Sequence, residues 1–408
     1  MKRVAGFDDM RGLGILGVIF VHSTIFSFAG IDQIDMERPP ISVAIMGLVA
    51  LFGGVFTVIS GAVNTIQTCR RVRQDGRAAR HALVGLVLSG LFLIGTHYLY
   101  TMLVGPTSFD FETRRHQYSL LPALIRGICL DSLDTTRLFE NTTFSLLGWS
   151  LVSNGVVLWI LLRRGGIARW RRNCAVMAIL GVLLVLSGLL RIQLFPRWEQ
   201  ARQSGHHLAA AALGFLAARS YPLLPYLAFG FFGALLGLLW AGGAGRKVIN
   251  ATLLGIGCAW LASGVSGYVL SPAVVGRVDL SWFFKVHMEL GLFLLIIGLA
   301  LNLSRFSLYE AGAPERGRLP LLRSFGTISL SVFLLQMPVT ETLAWILRRV
   351  LPGWDQQIGP MFLFGGFNLL LWLAFVRLVR RDHALWPAER LRVAYYRLCG
   401  RETTLSAQ

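Results

Sequence analysis

Charge is what this chain has least of, and acidic charge least of all. Only 15% of its 408 residues are charged, against about a quarter in an ordinary soluble domain, and 39 Lys and Arg face 21 Asp and Glu. With 54% hydrophobic residues and a mean hydropathy of +0.60, this excludes a soluble globular fold. Cysteine is also sparse. Cys69, Cys129, Cys174, Cys258 and Cys399 are scattered without the spacing of a disulfide framework or a zinc site, so no metal is expected. There is no clear internal repeat, and no matched pair of interrupted apolar segments of the kind that marks inverted-repeat transporters. Nor does the first apolar run end in a small-residue cleavage site. Its entrance carries Asp8 and Asp9, so it is expected to stay in place as a helix.

What is present is a series of long apolar runs. A spanning helix needs roughly 20 apolar residues, and ten such stretches occur, at about 12–31, 41–66, 82–104, 143–162, 174–195, 221–241, 248–270, 281–303, 325–347 and 357–379. With the N-terminus inside, 26 of the 39 Lys and Arg fall in cytoplasmic loops and tails, the bias that orients membrane proteins. The expected fold is therefore an all-α polytopic membrane bundle of about ten helices with both termini cytoplasmic, in a bacterial inner or plasma membrane. The net charge of +18 is then mostly topological. It favours anionic lipid headgroups or a phosphorylated cytosolic ligand as partners, not nucleic acid.

Residues 1–380 read as one transmembrane domain and 381–408 as a basic cytoplasmic tail, whose Trp386, Tyr395 and Tyr396 suit a helix on the inner membrane surface. The long outer loop 105–142 contains an apolar stretch at 120–130 that reads as a short amphipathic helix over the bundle, forming either a lid or a substrate site. A second outer stretch, 196–220, with His206 and His207, reads as a short interfacial helix.

The first run carries the chemistry. Arg11 and His22 are eleven residues apart, so at about 100° per residue they share one helix face, with His22 roughly 16 Å deeper. For a span at 12–31 this puts the histidine at mid-membrane and the arginine at the cytoplasmic mouth. An ionisable residue inside a span is costly and points to function. A neutral imidazole is suited to general-base work near pH 7, and Arg11 to holding a phosphate or a thioester. Asp8, three residues before Arg11, pairs with it if the helix extends that far.

Arg11, ten intervening residues and His22, within FDDMRGLGILGVIFVH, resemble the opening of the transmembrane acyltransferase superfamily, which includes acyltransferase family 3 and the heparan-alpha-glucosaminide N-acetyltransferase-like proteins. Asp8, Arg11 and Gly12 are in register with the family's LD-x-LRG. Three further segments are similar. Phe56 to Gly61 resembles F-x-x-x-SG, followed by an Arg-rich turn. Tyr221-Pro222-Leu223-Leu224-Pro225-Tyr226 through Gly237 resembles the PLLPW…G-x-x-xG stretch. Phe325 to Pro338 resembles the G-x-x-SL-x-(I/V)YLLH-x-P helix, with Gln336 where the family usually has His, so no proton-transfer role carries over to it.

The resemblance implies a donor thioester, acetyl-CoA or another acyl-CoA, reaching the site from the cytoplasm as co-substrate, with no tightly bound cofactor. The acceptor would be a hydroxyl or amine of an extracytoplasmic glycan, lipid-linked sugar or small molecule. His22 would be base or acyl relay, Arg11 would hold the donor and Asp8 would orient Arg11. Arg70, Arg71, Arg73 and Arg80, with Ser60, would meet the CoA phosphates by charge-assisted hydrogen bonds.

Lys285 and Glu289 are four apart on one helix face and read either as an ion pair holding the bundle or, with His287 and His97, as an outer acceptor site. Glu341, three residues after Pro338, receives no role. The contrasting reading is a proton-coupled transporter or flippase using His22 and Glu289. Neither reading specifies an oligomeric state, and both leave room for a homo-oligomer.

Overall fold

A backbone in hydrocarbon must satisfy its own hydrogen bonds, and this chain does so with helices. The computed structural model describes residues 2–34, 40–50, 53–74, 78–110, 115–128, 141–164, 166–218, 220–271, 278–310, 320–379 and 387–399. In order these form β1 (Lys2–Val4), α1 (Ala5–Ile25), α2 (Ile41–Ala50), α3 (Gly53–Gln74), α4 (Ala78–Leu103), β2 (Ser108–Asp110), β3 (Arg115–Gln117), α5 (Leu120–Arg126) and α6 (Thr143–Leu162). There follow α7 (Trp170–Leu186), α8 (Gly188–Gln203), α9 (His207–Ala217), α10 (Leu223–Ala241), α11 (Arg246–Leu270), α12 (Leu280–Leu303) and β4 (Leu308–Glu310). Last come α13 (Pro320–Thr327), α14 (Ser329–Val350), α15 (Ile358–Val379) and α16 (Pro387–Leu398). Two short antiparallel strand pairs, β1 with β4 and β2 with β3, interrupt the expected all-helical pattern.

Seven helices among the described residues are long and apolar enough to cross a membrane, or eight if the pair α7–α8, bent by 41°, is one span. These correspond to the third through tenth expected runs and are those of a multi-pass membrane protein. Their outward faces carry exposed leucines and aromatics such as Leu254, Leu270, Leu363, Phe367 and Leu378, a surface that suits lipid.

The first two expected runs differ. α1 begins at Ala5 rather than 12, taking Asp8, Asp9 and Arg11 into the helix, and it ends at Ile25 rather than 31. Run 41–66 divides into α2 and α3, and α3 continues through its basic end to Gln74. Run 325–347 is broken at Ile328, with α13 preceding it. The fifth run is bent beside Ser187 and Gly188. The apolar stretch at 120–130 becomes α5, stopped by Gly127 at φ 66°, a left-handed cap that glycine adopts without a steric penalty. Cys129, Arg219, Trp386 and the tail at 381–386 and 400–408 lie outside the described residues.

The chain divides into two compact units. One comprises Met1–Phe52, Tyr98–Arg137 and Ser307–Gln408, the other Gly53–His97 and Leu138–Phe306. In the first unit α1 packs against α13, α14 and α15. The backbone N–H of Ala5, orphaned at the helix start, donates to the Ser307 carbonyl at 3.0 Å beside the β1–β4 pair. At the crossing of α1 and α13 the backbones nearly touch. A Cβ added at Gly12 would overlap the Leu322 carbonyl, and one at Gly326 the Asp8 carbonyl. The glycines of both motif segments are therefore a contact, of the small-residue kind that lets membrane helices approach.

In the second unit α10 packs against α3, α6 and α7. A Cβ at Gly237 would sit 2.5 Å from the Ala62 carbonyl oxygen, and one at Gly233 would overlap the Val58 carbonyl. The segment resembling F-x-x-x-SG and the one resembling G-x-x-xG are thus two sides of one helix pair.

Gly326→Leu is expected to destabilise the fold by about 1–3 kcal/mol or more through overpacking. Gly95→Ala, whose Cβ meets nothing within 4 Å, should be neutral or slightly stabilising. Thermal unfolding of the detergent-solubilised variants checks both; equal behaviour of the two would refute the packing role.

Candidate functional site

The start of α1 holds two adjacent carboxylates, Asp8 and Asp9, both buried. Neighbours on a helix point about 100° apart, and each finds its own cation. Asp8 accepts from Arg11 Nη1 at 3.4 Å, the pairing anticipated from the sequence, and lies 3.8 Å from Arg3 Nη1. Asp9 accepts from Nε and Nη2 of Arg323 at 3.2 and 3.3 Å, with both side chains almost fully buried. In the sequence Arg323 falls just before the 325–347 run and is one of the 26 Lys and Arg expected in cytoplasmic loops and tails. The structure instead inserts it, on α13, into the glycine crossing with α1. A buried charge is tolerable only when paired, which explains why Asp9 and Arg323 occur together.

His22 lies in the last turn of α1, not at its midpoint, because the helix starts earlier and ends earlier than the apolar run suggested. Its Nδ1 is 2.7 Å from Nε2 of Gln336 on α14. The ring meets Phe26 and Phe333 edge-on, with centroids 4.9 and 5.9 Å away, and Tyr100 packs against Phe333 at 5.7 Å. One residue further, the Ser23 and Thr340 hydroxyls are 3.1 Å apart, and Thr340 donates to Asn368 Oδ1 at 3.4 Å. Gln336 and Thr340 are one helical turn apart, so a single face of α14 engages the end of α1.

Beside Thr340, the buried Glu341 accepts from Arg126 Nη2 at 3.1 Å and from Thr107 Oγ1 at 3.2 Å. The Arg126 guanidinium lies 5.3 Å from the centre of the Tyr118 ring. Ser119 Oγ donates to the Gly105 carbonyl at 2.6 Å, so the described part of segment 105–142 closes on itself and is held to α14 through Arg126 and Thr107. Neither Arg126 nor Glu341 was assigned a role from sequence. The available signal was Glu341, a carboxylate inside an apolar run, which is expensive without a partner. Nearby His116, on β3, is pushed below the ordinary histidine range by burial and then by Arg126, with Asp32 pulling the other way.

The remaining sequence candidates belong to the second unit. Lys285 Nζ is 3.9 Å from Glu289 Oε1 and 4.0 Å from the centre of the Trp282 ring. Glu289 is buried and hydrogen-bonded by Tyr226, from the PLLP segment. Tyr221, held at φ 43° and hydrogen-bonded to Thr143, opens that segment. Buried Arg191, which sequence reasoning passed over, donates to the carbonyls of Ala217 and Ala218 at 3.3 and 2.8 Å and lies 5.0 Å from the Trp282 ring centre.

His287, two residues from Glu289, points elsewhere. Its Nδ1 is 3.0 Å from Ser263 Oγ, and Phe283 and Trp260 enclose the ring. His97 Nδ1 is 2.9 Å from Thr142 Oγ1 at the start of α6. Ser60 is engaged by Asn64, whose amide donates to its hydroxyl at 3.1 Å. Arg70 and Arg71 are partly buried, whereas Arg73 and Arg80 are exposed. Arg73 also donates to the Ala241 carbonyl.

No protein-family model matches the chain, and no curated protein is detectably similar to it in sequence.

Asp9→Asn should cost about 3–5 kcal/mol by leaving Arg323 buried without its counter-charge, whereas Asp9→Leu with Arg323→Met should recover most of that loss. Thermal unfolding distinguishes the two, and additive losses would refute the pairing argument. His116 has a folded-state pKa below its unfolded value of about 6.5. Its contribution is therefore full above that pH and is lost as pH falls toward the folded value, where the opened segment binds the proton more readily. Intrinsic-rate-corrected amide exchange across 115–128 should be faster at pH 5.5 than at pH 7.5 in the wild type and pH-independent in His116→Gln.

Proposed function

We propose that the chain is a membrane-bound acyltransferase. It moves an acyl group, acetyl by the family resemblance, from a cytosolic acyl-CoA to a hydroxyl or amine of an extracytoplasmic glycan, lipid-linked sugar or small molecule. The observation that carries the reading is α1 itself: Arg11 near its start, oriented by buried Asp8, and His22 eleven residues on, on the same face, held by Gln336.

In direct transfer, a ring nitrogen of His22 takes the proton from the acceptor hydroxyl or amine as its oxygen or nitrogen forms a bond to the thioester carbonyl carbon. The tetrahedral intermediate then collapses, the carbon–sulfur bond breaks, and the imidazolium returns the proton to the departing CoA thiolate. This is general-base then general-acid work by one group. An acyl-imidazole relay would use the same atoms in two steps. Arg11, partly exposed while Asp8 is not, offers planar paired donors to a phosphate or the thioester region. Arg70, Arg71 and Arg73 at the end of α3, with Arg80 at the start of α4, would add charge for the CoA phosphates. The bundle would lie in a cell membrane with both termini cytoplasmic.

Purified protein in proteoliposomes should hydrolyse radiolabelled acetyl-CoA or transfer its label to a panel of monosaccharides and amino sugars. His22→Ala should lower turnover about 10²–10⁴-fold with folding intact, and Arg11→Ala should mainly weaken use of the donor. If wild type neither binds nor consumes the donor, the acyltransferase reading fails and the proton-coupled transporter takes its place.

A further inference from the structure

Gln336 stands where the resembling family usually has a titratable His, and it is the residue whose side chain meets the imidazole of His22, at 2.7 Å. The contact decides what His22 is able to do. A neutral imidazole carries one N–H and one lone pair, and the partner of one nitrogen selects the chemistry of the other. If the amide of Gln336 donates to Nδ1, that lone pair is occupied, Nε2 carries the proton, and the ring can only donate a hydrogen bond to a substrate. If the amide oxygen accepts from Nδ1–H, Nε2 keeps its lone pair and the ring is a base.

The two ends of an amide have the same shape, so the same heavy-atom positions serve both arrangements. With Nε2 of the amide toward the ring, Gln336 Oε1 is left buried without a hydrogen-bond partner. Turning the amide through 180° gives that oxygen the Nδ1–H as its donor and moves the NH2 group to the other buried end. One end of the amide lacks a partner either way, so the choice follows from the chemistry asked of His22, which as a base needs the Nε2 lone pair free. The rest of the site holds the residue still. Gln336 is fully buried, and Thr340, one turn further on α14, is tied to Ser23 at 3.1 Å. The side chain therefore has little freedom to leave the ring.

Building on the acyltransferase reading, we propose that Gln336 is a positioning residue whose side-chain oxygen accepts from Nδ1–H of His22, fixing the tautomer in which Nε2 is the base for direct acyl transfer. Unlike a carboxylate or a second histidine, the amide neither gains nor loses a proton during the cycle. The proton taken from the acceptor therefore stays on His22 until the thiolate leaves. No other group is oxidised, reduced or acylated in this scheme.

The first test reads the tautomer without any turnover. Nitrogen-15 spectra of histidine-labelled protein in nanodiscs, with His22 assigned through a His22→Gln control, should show a protonated Nδ1 and an unprotonated Nε2. A protonated Nε2 would overturn the proposal even if the acyltransferase activity is real. The second test separates acceptor from donor at position 336. Gln336→Glu, which can only accept while ionised, should keep kcat within about 10-fold. Gln336→Met, similar in shape but apolar, should lower kcat about 10–100-fold with KM for acetyl-CoA little changed, and Gln336→Lys, which can only donate, should lower it at least as far. Thermal unfolding of each variant identifies any that fail to fold, and the wild-type spectrum stands whatever they do. Unchanged kcat in folded Gln336→Met would reduce the contact to helix packing. An inactive wild type would instead remove the acyltransferase reading, leaving the tautomer as a separate result.

Discussion

The first unit depends on the pairing of two adjacent carboxylates at the start of α1. Asp8 and Asp9 are buried in the helix that carries His22, and neither could stay there alone. Asp8 pairs with Arg11 of its own helix and lies near Arg3 of β1, while Asp9 draws in Arg323 from far along the chain. Beside that second pair α13 lies against α1 at backbone contact, which Gly12 and Gly326 make possible. Charge pairing and close packing thus occur together at this crossing.

From that crossing the polar contacts continue along α14. Gln336 meets His22, Thr340 meets Ser23, and Glu341, turned about 100° further, faces Arg126 and Thr107. One helix therefore both holds the imidazole and anchors the segment between α4 and α5. Each contact satisfies a group that would be costly in apolar surroundings, and each restricts how α14 rotates about its axis.

Much of this was legible from residue pattern. Seven of the apolar runs became helices long enough to span among the described residues, and an eighth became the bent pair α7–α8, because length and composition alone decide that property. The pairings of Asp8 with Arg11 and of Lys285 with Glu289 followed from helical periodicity, since residues three or four apart meet whatever the rest of the fold does. The position of His22 along α1 did not follow. Hydropathy weighed against including Asp8, Asp9 and Arg11 in the helix, and the buried partner of Asp9, Arg323, which reverses that penalty, is not local. His287 was grouped with Glu289 by nearness in sequence, yet two residues on a helix face nearly opposite ways, and its partners are Ser263, Phe283 and Trp260.

The amino-acid sequence by itself determined that this is a helical membrane protein, and that Arg11 and His22 lie on one face of its first helix. Those properties depend on composition and on the geometry of a single helix. Only the tertiary structure decided that Arg323 neutralises Asp9, that Arg126 meets Glu341, and that Gln336 holds His22. Each of these pairs joins residues more than 200 positions apart. Such contacts depend on which helix faces meet, and no local pattern encodes that.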